Sequence, residues 1–91
     1  MIREEQLWWV YVLRCGDGTF YTGITKDIRM RLAAHAAGRG ARYTRGRGPF
    51  TIWWLDGPLA HGEALRRERR VKQLTHREKM ALRGSQHGRP V

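Results

Sequence analysis

One cysteine, Cys15, stands among the 91 residues, which excludes an intrachain disulfide framework and any zinc cluster built on thiolates. Long apolar runs are also missing. The longest, Leu7 to Leu13, is far short of the ~20 residues a membrane-crossing helix needs, and Met1-Ile2-Arg3-Glu4-Glu5 leads into no extended apolar region of the signal-peptide kind. Neither secretion nor membrane insertion is therefore expected, and the cytoplasm is the expected compartment. Acidic residues are scarce: eight Asp and Glu stand against 18 Lys and Arg, a formal net charge of +10. Such an excess repels itself unless it lies against a polyanion, so nucleic acid is the leading partner class. No internal repeat at a fixed period appears, which sets aside solenoid architectures.

The hydrophobic fraction of 41% and the four tryptophans are too apolar for a disordered basic tail, so the chain is expected to fold. Its length suits one small domain, placed at 1–83, with 84–91 as a flexible C-terminal tail. Leu7 to Leu13 is apolar on both alternations and reads as a central strand covered on two faces. Cys15-Gly16-Asp17-Gly18 is turn chemistry, and Thr19 to Ile24 returns as a second strand of an antiparallel hairpin. Asp27 caps a helix over Ile28 to Ala37, with Ile28, Leu32 and Ala36 as its apolar stripe and Gly38 as its stop. An Arg/Gly-rich loop runs from Gly38 to Pro49. Phe50 to Leu55 forms a third strand ending in a turn at Asp56-Gly57-Pro58. A second helix is expected over Leu59 to Leu74, and a short third one runs to Leu82, with Thr75 and Glu78 forming a capping box. The order β-β-α-β-α-α gives an α+β fold: a three-stranded antiparallel sheet with helices packed on it.

Five polar residues carry candidate chemistry. On the second helix Ala64, Glu68 and Val71 share a stripe flanked by Leu65, while Arg66, Arg67, Arg69 and Arg70 project elsewhere. A carboxylate turned inward needs a compensating cation, which is either a divalent metal or a structural ion pair with an Arg or with Lys72 one turn on. On the first helix Arg31 and His35 are i, i+4 neighbours at the margin of the apolar stripe. Together they suit a phosphate, or they form an ordinary solvated margin. Tyr11 and Tyr21 share a sheet face if the hairpin loop has three residues or a bulge, and face apart if it has four. Two adjacent phenols can orient or deprotonate a water, although tyrosine in a strand also serves as packing. His61, His76 and His87 lack metal-ligand spacing and read as surface residues.

Tyr11 in Trp9-Val10-Tyr11, then Tyr21-Thr22-Gly23, Arg31 eight residues beyond that glycine, His35 one turn later and Glu68 in Ala64-Leu65-Arg66-Arg67-Glu68 resemble the GIY-YIG nuclease superfamily in order and spacing. The resemblance spans about Leu7 to Leu74. It is nearest to the small single-domain bacterial branch, YhbQ-like, and more distant to structure-specific endonuclease subunits acting on branched DNA. Two departures stand out: Trp9-Val10 replaces the Gly-Ile of the name motif, and the chain has no Asn, whereas some members carry one late in the domain.

The resemblance implies hydrolysis of phosphodiester bonds in DNA with one divalent cation, Mg²⁺ or Mn²⁺. Glu68 would be the metal ligand and Arg31 the phosphate clamp. Tyr11 and Tyr21 would position or deprotonate the attacking water, and His35 would assist. A tyrosine of ordinary pKa is a poor base at neutral pH, so a nearby cation, metal-bound water or His35 would have to favour the phenolate. Arg39, Arg42, Arg45 and Arg47 of the loop, with Arg66, Arg70 and Lys72 of the second helix, are the candidates for gripping backbone phosphates. That grip would read shape rather than sequence. A competing expectation is a non-catalytic module binding DNA or RNA on the same scaffold. Attachment to anionic membrane surfaces explains the charge but not Glu68. A module this small could also borrow its targeting from an unidentified partner protein.

Overall fold

The hairpin at the start of the chain organises the sheet. In the computed structural model, which describes residues 7–82 together with Arg89 and Pro90, β1 is Leu7–Arg14 and β2 is Phe20–Thr25. A three-residue loop joins them. The Cys15 N–H donates to Thr19 O at 2.8 Å and the Gly18 N–H to Cys15 O at 2.9 Å, while Asp17 accepts from the Thr19 N–H and hydroxyl. This loop length sets Tyr11 opposite Gly23 and Leu13 opposite Tyr21. Side chains alternate along a strand, so both tyrosines lie on one face of the sheet.

β3, Thr51–Ala60, pairs with the other edge of β1, and the sheet is antiparallel throughout. A two-residue strand β4, Arg89–Pro90, extends the order to β2-β1-β3-β4. The rest of the expected tail, 84–91, and His87 with it, lies outside the described residues. The central position of β1 explains its composition: Val10, Tyr11, Val12 and Leu13 are all fully buried, on both alternations. The expected order β-β-α-β-α-α is the observed one, with α1 at Ile28–Ala36, α2 at His61–Lys72 and α3 at His76–Leu82. Among the described residues no helix is long and apolar enough to cross a membrane.

The expected turn at Asp56-Gly57-Pro58 is instead part of β3. Trp8 pairs with Leu59 and Val10 with Asp56, so Gly57 and Pro58 together face Trp9 in a β-bulge. Gly and Pro punctuate turns and bulges alike, which is why the sequence pattern misplaced the end of this strand. Because β3 runs on to Ala60, α2 begins at His61 rather than Leu59. A second shift, between Val12 and Leu13, leaves Trp53 as an extra residue in β3, so consecutive Trp53 and Trp54 both reach the same core.

That core lies on the Val10/Val12 face of the sheet, where Phe20 and Trp54 meet Ala64 and Val71 of α2. Each large side chain so buried contributes on the order of 1.5–3 kcal/mol. Leu65, expected to flank this stripe, is exposed instead. α3 is held by the capping box foreseen for it, with the Thr75 N–H donating to Glu78 Oε1 at 2.9 Å and the Glu78 N–H to Thr75 Oγ1 at 3.1 Å. The Trp53 indole N–H donates to Lys79 O at 2.8 Å and ties α3 to the sheet.

α1 departs from its expected apolar stripe. Asp27 caps it as foreseen, accepting from the Met30 N–H at 3.0 Å. Its buried side chain, however, is His35; Ile28 and Leu32 are half-buried and Ala36 is exposed. The helix packs against polar groups on the tyrosine face, not against the apolar core.

The bulge yields a test of this framework. Gly57 has φ of 135°, and a Cβ there would stand 2.8 Å from Trp8 O. Gly57→Ala should therefore lower unfolding free energy by about 1–3 kcal/mol in urea titrations followed by tryptophan fluorescence. An unchanged midpoint would contradict the bulge.

Candidate active site

The polar residues of the tyrosine face form one hydrogen-bonded chain. The Arg31 Nε–H donates to the Tyr11 hydroxyl oxygen at 3.3 Å, and Tyr11 Oη lies 2.9 Å from His35 Nε2. On the other side of the ring, His35 Nδ1 lies 2.8 Å from Thr44 Oγ1, whose proton goes to Ala41 O at 2.9 Å. These partners fix every proton. Thr44 has spent its only hydroxyl hydrogen on Ala41, so it must accept from Nδ1–H; Nε2 is then bare and accepts the Tyr11 O–H.

Burial supports this assignment. His35, 1% exposed, has its pKa pushed down to about 4, first by desolvation and then by the Arg31 charge. It is a neutral imidazole at physiological pH. Tyr11, fully buried, is pushed up to about 12, because desolvation outweighs the hydrogen bond from Arg31. Arg31 does pull toward phenolate, as a nearby cation should, but burial outweighs it in the protein alone: Tyr11 keeps its proton and aims it at His35.

Tyr21 completes the cluster. Its ring centroid lies 6.2 Å from that of Tyr11 and 5.3 Å from that of His35, and it helps Tyr11 to hold the Arg31 guanidinium charged. Two glycines make room. A Cβ on Gly23 would stand 2.7 Å from Tyr11 Oη, and one on Gly40 would overlap His35 Nδ1. Glu68 stands on α2, whose Ala64 and Val71 pack on the other face of the sheet, and its charge is a minor influence among those that disfavour the Tyr11 phenolate. Its side chain is 18% exposed and meets Lys72 Nζ at 3.4 Å. The structural ion pair left open by the sequence is thus present, but Lys72 is 56% exposed and such i, i+4 pairs are worth only about 0.3–0.5 kcal/mol.

Thr44 and Gly40 had not been singled out from the sequence. Both lie in the Arg/Gly loop, where Arg42–Thr44 forms a single 3-10 turn. The loop is consequently not a free linker: Thr44 anchors it beneath His35. Arg47 anchors it again, donating to Asp17 Oδ2 and to Tyr43 O, both at 2.6 Å, and covering the Tyr43 ring at 4.5 Å. Asp17 is held low, to about 2, mainly by the bonds from Thr19, so this anchor persists well into acid. Arg47 therefore leaves the set of free phosphate grips. Arg39, Arg42, Arg45 and Arg70 are exposed without a carboxylate partner among the described residues. Arg66 is exposed but shared with Glu63 at 2.9 Å, and half-buried Arg67 pairs with Asp56 of β3. His61 and His76 are surface residues, as expected. His61 stacks on Trp8, and His76 packs on Phe20 with Nε2 3.1 Å from Gly18 O.

A small antiparallel sheet bearing two adjacent tyrosines, with an arginine and histidine one helical turn apart and a glutamate on the following helix, is the layout of a nuclease-type domain. Residues 7–81 match the family described as the GIY-YIG catalytic domain, and the chain belongs to that family. It is 52% identical over 73 residues to a UPF0213 protein of Halobacterium salinarum, covering 80% of this chain and 95% of that one. A UPF0213 protein of Nitratidesulfovibrio vulgaris is 47% identical over 79 residues, covering 87% and 72% respectively. The solution NMR structure of a UPF0213 protein from Bacillus halodurans aligns with a TM-score of 0.53 at 46% identity, over 84% of this chain and 81% of that one.

Two outcomes follow. The unfolded imidazole, with pKa near 6.5, takes up a proton that the folded one refuses until about 4. Stability is thus full above 6.5 and lost as pH falls toward 4, by about 2–3 kcal/mol at pH 4.5. Unfolding titrations should show this slope, and His35→Gln should flatten it; an equal slope in both proteins would contradict a neutral His35. Replacing Arg39, Arg42 and Arg45 by Ser should reduce the log–log salt dependence of DNA affinity by about one per lost phosphate contact. An unchanged slope would remove the loop from the interface.

Proposed function

We propose that the chain hydrolyses phosphodiester bonds in DNA with the help of a divalent cation, Mg²⁺ or Mn²⁺, and selects substrate by shape rather than base sequence. One observation carries this reading: the buried chain Arg31–Tyr11–His35–Thr44, in which every proton has a defined direction. Ordinary core packing does not call for a phenol, a guanidinium and a neutral imidazole in series, and their desolvation costs stability.

The chain suits proton relay. In the complex, a water admitted beside Tyr11 gives its proton to the phenol oxygen while the phenol passes its own to His35 Nε2, and the water oxygen bonds to phosphorus as the bond from phosphorus to the leaving strand oxygen breaks, that oxygen taking a proton from solvent. Thr44 keeps Nε2 open by holding the other ring nitrogen as donor. Arg31 holds the non-bridging oxygens, and a phosphate placed there offsets the positive charge that helps depress His35, making the imidazole a better base in the complex. Tyr21 braces both rings.

Among the described residues no three His, Cys, Asp or Glu side chains cluster as a metal cage. One carboxylate, Glu68, with a labile Lys72 partner, fits a cation that keeps most of its waters and draws further oxygens from the substrate. When bound, such a cation polarises the scissile phosphate and stabilises the leaving oxygen. The free arginines of the loop and of α2 supply sequence-blind affinity.

A second reading, a DNA- or RNA-binding module without catalysis, is favoured by the existing Glu68–Lys72 pair and by Trp9-Val10 in place of Gly-Ile. Cleavage assays with Mg²⁺ or Mn²⁺ on branched, nicked and single-stranded DNA separate the two. Glu68→Ala should abolish cleavage while leaving salt-sensitive binding nearly intact, and Arg31→Ala should slow it by about 10²–10³-fold. Cleavage by Glu68→Ala at the wild-type rate would overturn the metal role, and DNA binding with no cleavage by the wild type would favour the second reading.

A further inference from the structure

Beside the site, a cavity of about 350 Å³ is lined by Leu7, Trp9, Lys26 and Pro58. We infer that this cavity is a subsite for one unpaired nucleobase of the strand whose phosphate lies at Arg31, with Trp9 as the stacking surface and Lys26 as a neighbouring phosphate contact. The inference rests on the nucleic-acid reading above and adds a substrate class to it: strands with an unpaired nucleotide next to the held phosphate, such as flaps, frayed ends and single strands.

Three observations converge here. The first is chemical: an indole and a pyrrolidine ring give apolar walls, and the Lys26 side chain lines the cavity while its Nζ reaches over the neighbouring Trp8 ring, 5.4 Å from the centroid. Flat aromatic ligands joined to anions fit such a lining, and the volume is within the range of small-ligand pockets. The second is continuity. Trp9 pairs with Thr25 across β1 and β2, and Thr25 also lines a cavity of about 200 Å³ with Arg31. Thr25 and Lys26 thus join the two cavities at the end of β2. Tyr11 is two residues along β1 from Trp9, about 7 Å at strand rise, so base and phosphate positions are neighbours.

The third observation is the bulge. Gly57 and Pro58 stand opposite Trp9 where one residue would keep the ladder regular, and a Cβ on Gly57 would lie 3.1 Å from Trp9 Cε3. Side-chain-free backbone beneath the indole and a proline beside it shape the cavity, so the bulge that interrupts β3 also builds its wall. Trp9 is one of the two residues by which the first triplet departs from Gly-Ile. A glycine there would give no stacking surface. A base within a duplex is already stacked on its neighbours, which is why the subsite selects unpaired nucleotides.

The test is a binding cycle in EDTA, using a fluorescein-labelled DNA hairpin with a single-stranded flap, intact or with one abasic residue at successive flap positions. In the wild type, one position should cost about tenfold in affinity when abasic. Trp9→Ala should bind the intact flap about tenfold more weakly and be indifferent to that position, while binding the blunt hairpin as the wild type does. Lys26→Ala should lower the salt slope by about one and keep the abasic profile. Trp9→Leu, which retains apolar cover over Gly57, takes the place of Trp9→Ala should circular dichroism show the latter unfolded. Binding of the intact flap within twofold of wild type, or an abasic penalty that persists in the Trp9 variant, would overturn the subsite. Because binding alone is read, a wild type that cleaves nothing leaves this result standing; a wild type that cleaves without a position-specific penalty sinks the subsite and spares the nuclease reading.

Discussion

The direction of one proton, from Tyr11 to His35, is the constraint on which the rest of this molecule depends. It exists because Thr44 gives its hydrogen to Ala41 and must receive one from His35, and because burial keeps the imidazole neutral. Gly23 and Gly40 leave space for the two rings, and the three-residue hairpin loop sets the tyrosines on one face. Polar groups sunk this deeply destabilise a domain whose apolar core occupies only the opposite face of one small sheet. Their retention is intelligible if the cluster performs chemistry, as membership in the GIY-YIG family suggests.

In the proposed function, the Arg/Gly loop would link binding to that chemistry. Its exposed arginines have no carboxylate partner among the described residues, yet Thr44, between Arg42 and Arg45, sits under the imidazole. Arg47, stacked on Tyr43 and bonded to Asp17, pins the far end of the loop to the hairpin. In the proposed function, a strand gripped by the loop would thereby be held over the relay rather than at a distance from it. On the other flank, the bulge at Gly57 and Pro58 opens the space beside Trp9.

Much of this was legible in the residues. The alternation-blind apolar run of β1, the Asp27 cap, the Thr75/Glu78 box and the order of elements all follow from local rules that tertiary contacts did not override. The end of β3 did not, since Gly57-Pro58 obeys the same conformational demand in a bulge as in a turn. Nor did the buried face of α1: a helical wheel ranks His35 below Ile28 and Leu32, and nothing local reveals that Tyr11 and Thr44 will satisfy both ring nitrogens. Thr44 itself was hidden because a threonine in an Arg/Gly stretch carries no periodic signal. The loop length that decides whether Tyr11 and Tyr21 share a face was open in the sequence, and the Cys15–Thr19 pairing closes it.

The most direct measurement is a long-range ¹H–¹⁵N correlation spectrum of the His35 side chain, recorded between pH 7 and about 5. A neutral ring with its proton on Nδ1 throughout, and an Nε2 resonance that shifts when a DNA strand binds, is what the account predicts. A proton on Nε2, or an imidazolium already formed at neutral pH, would contradict it.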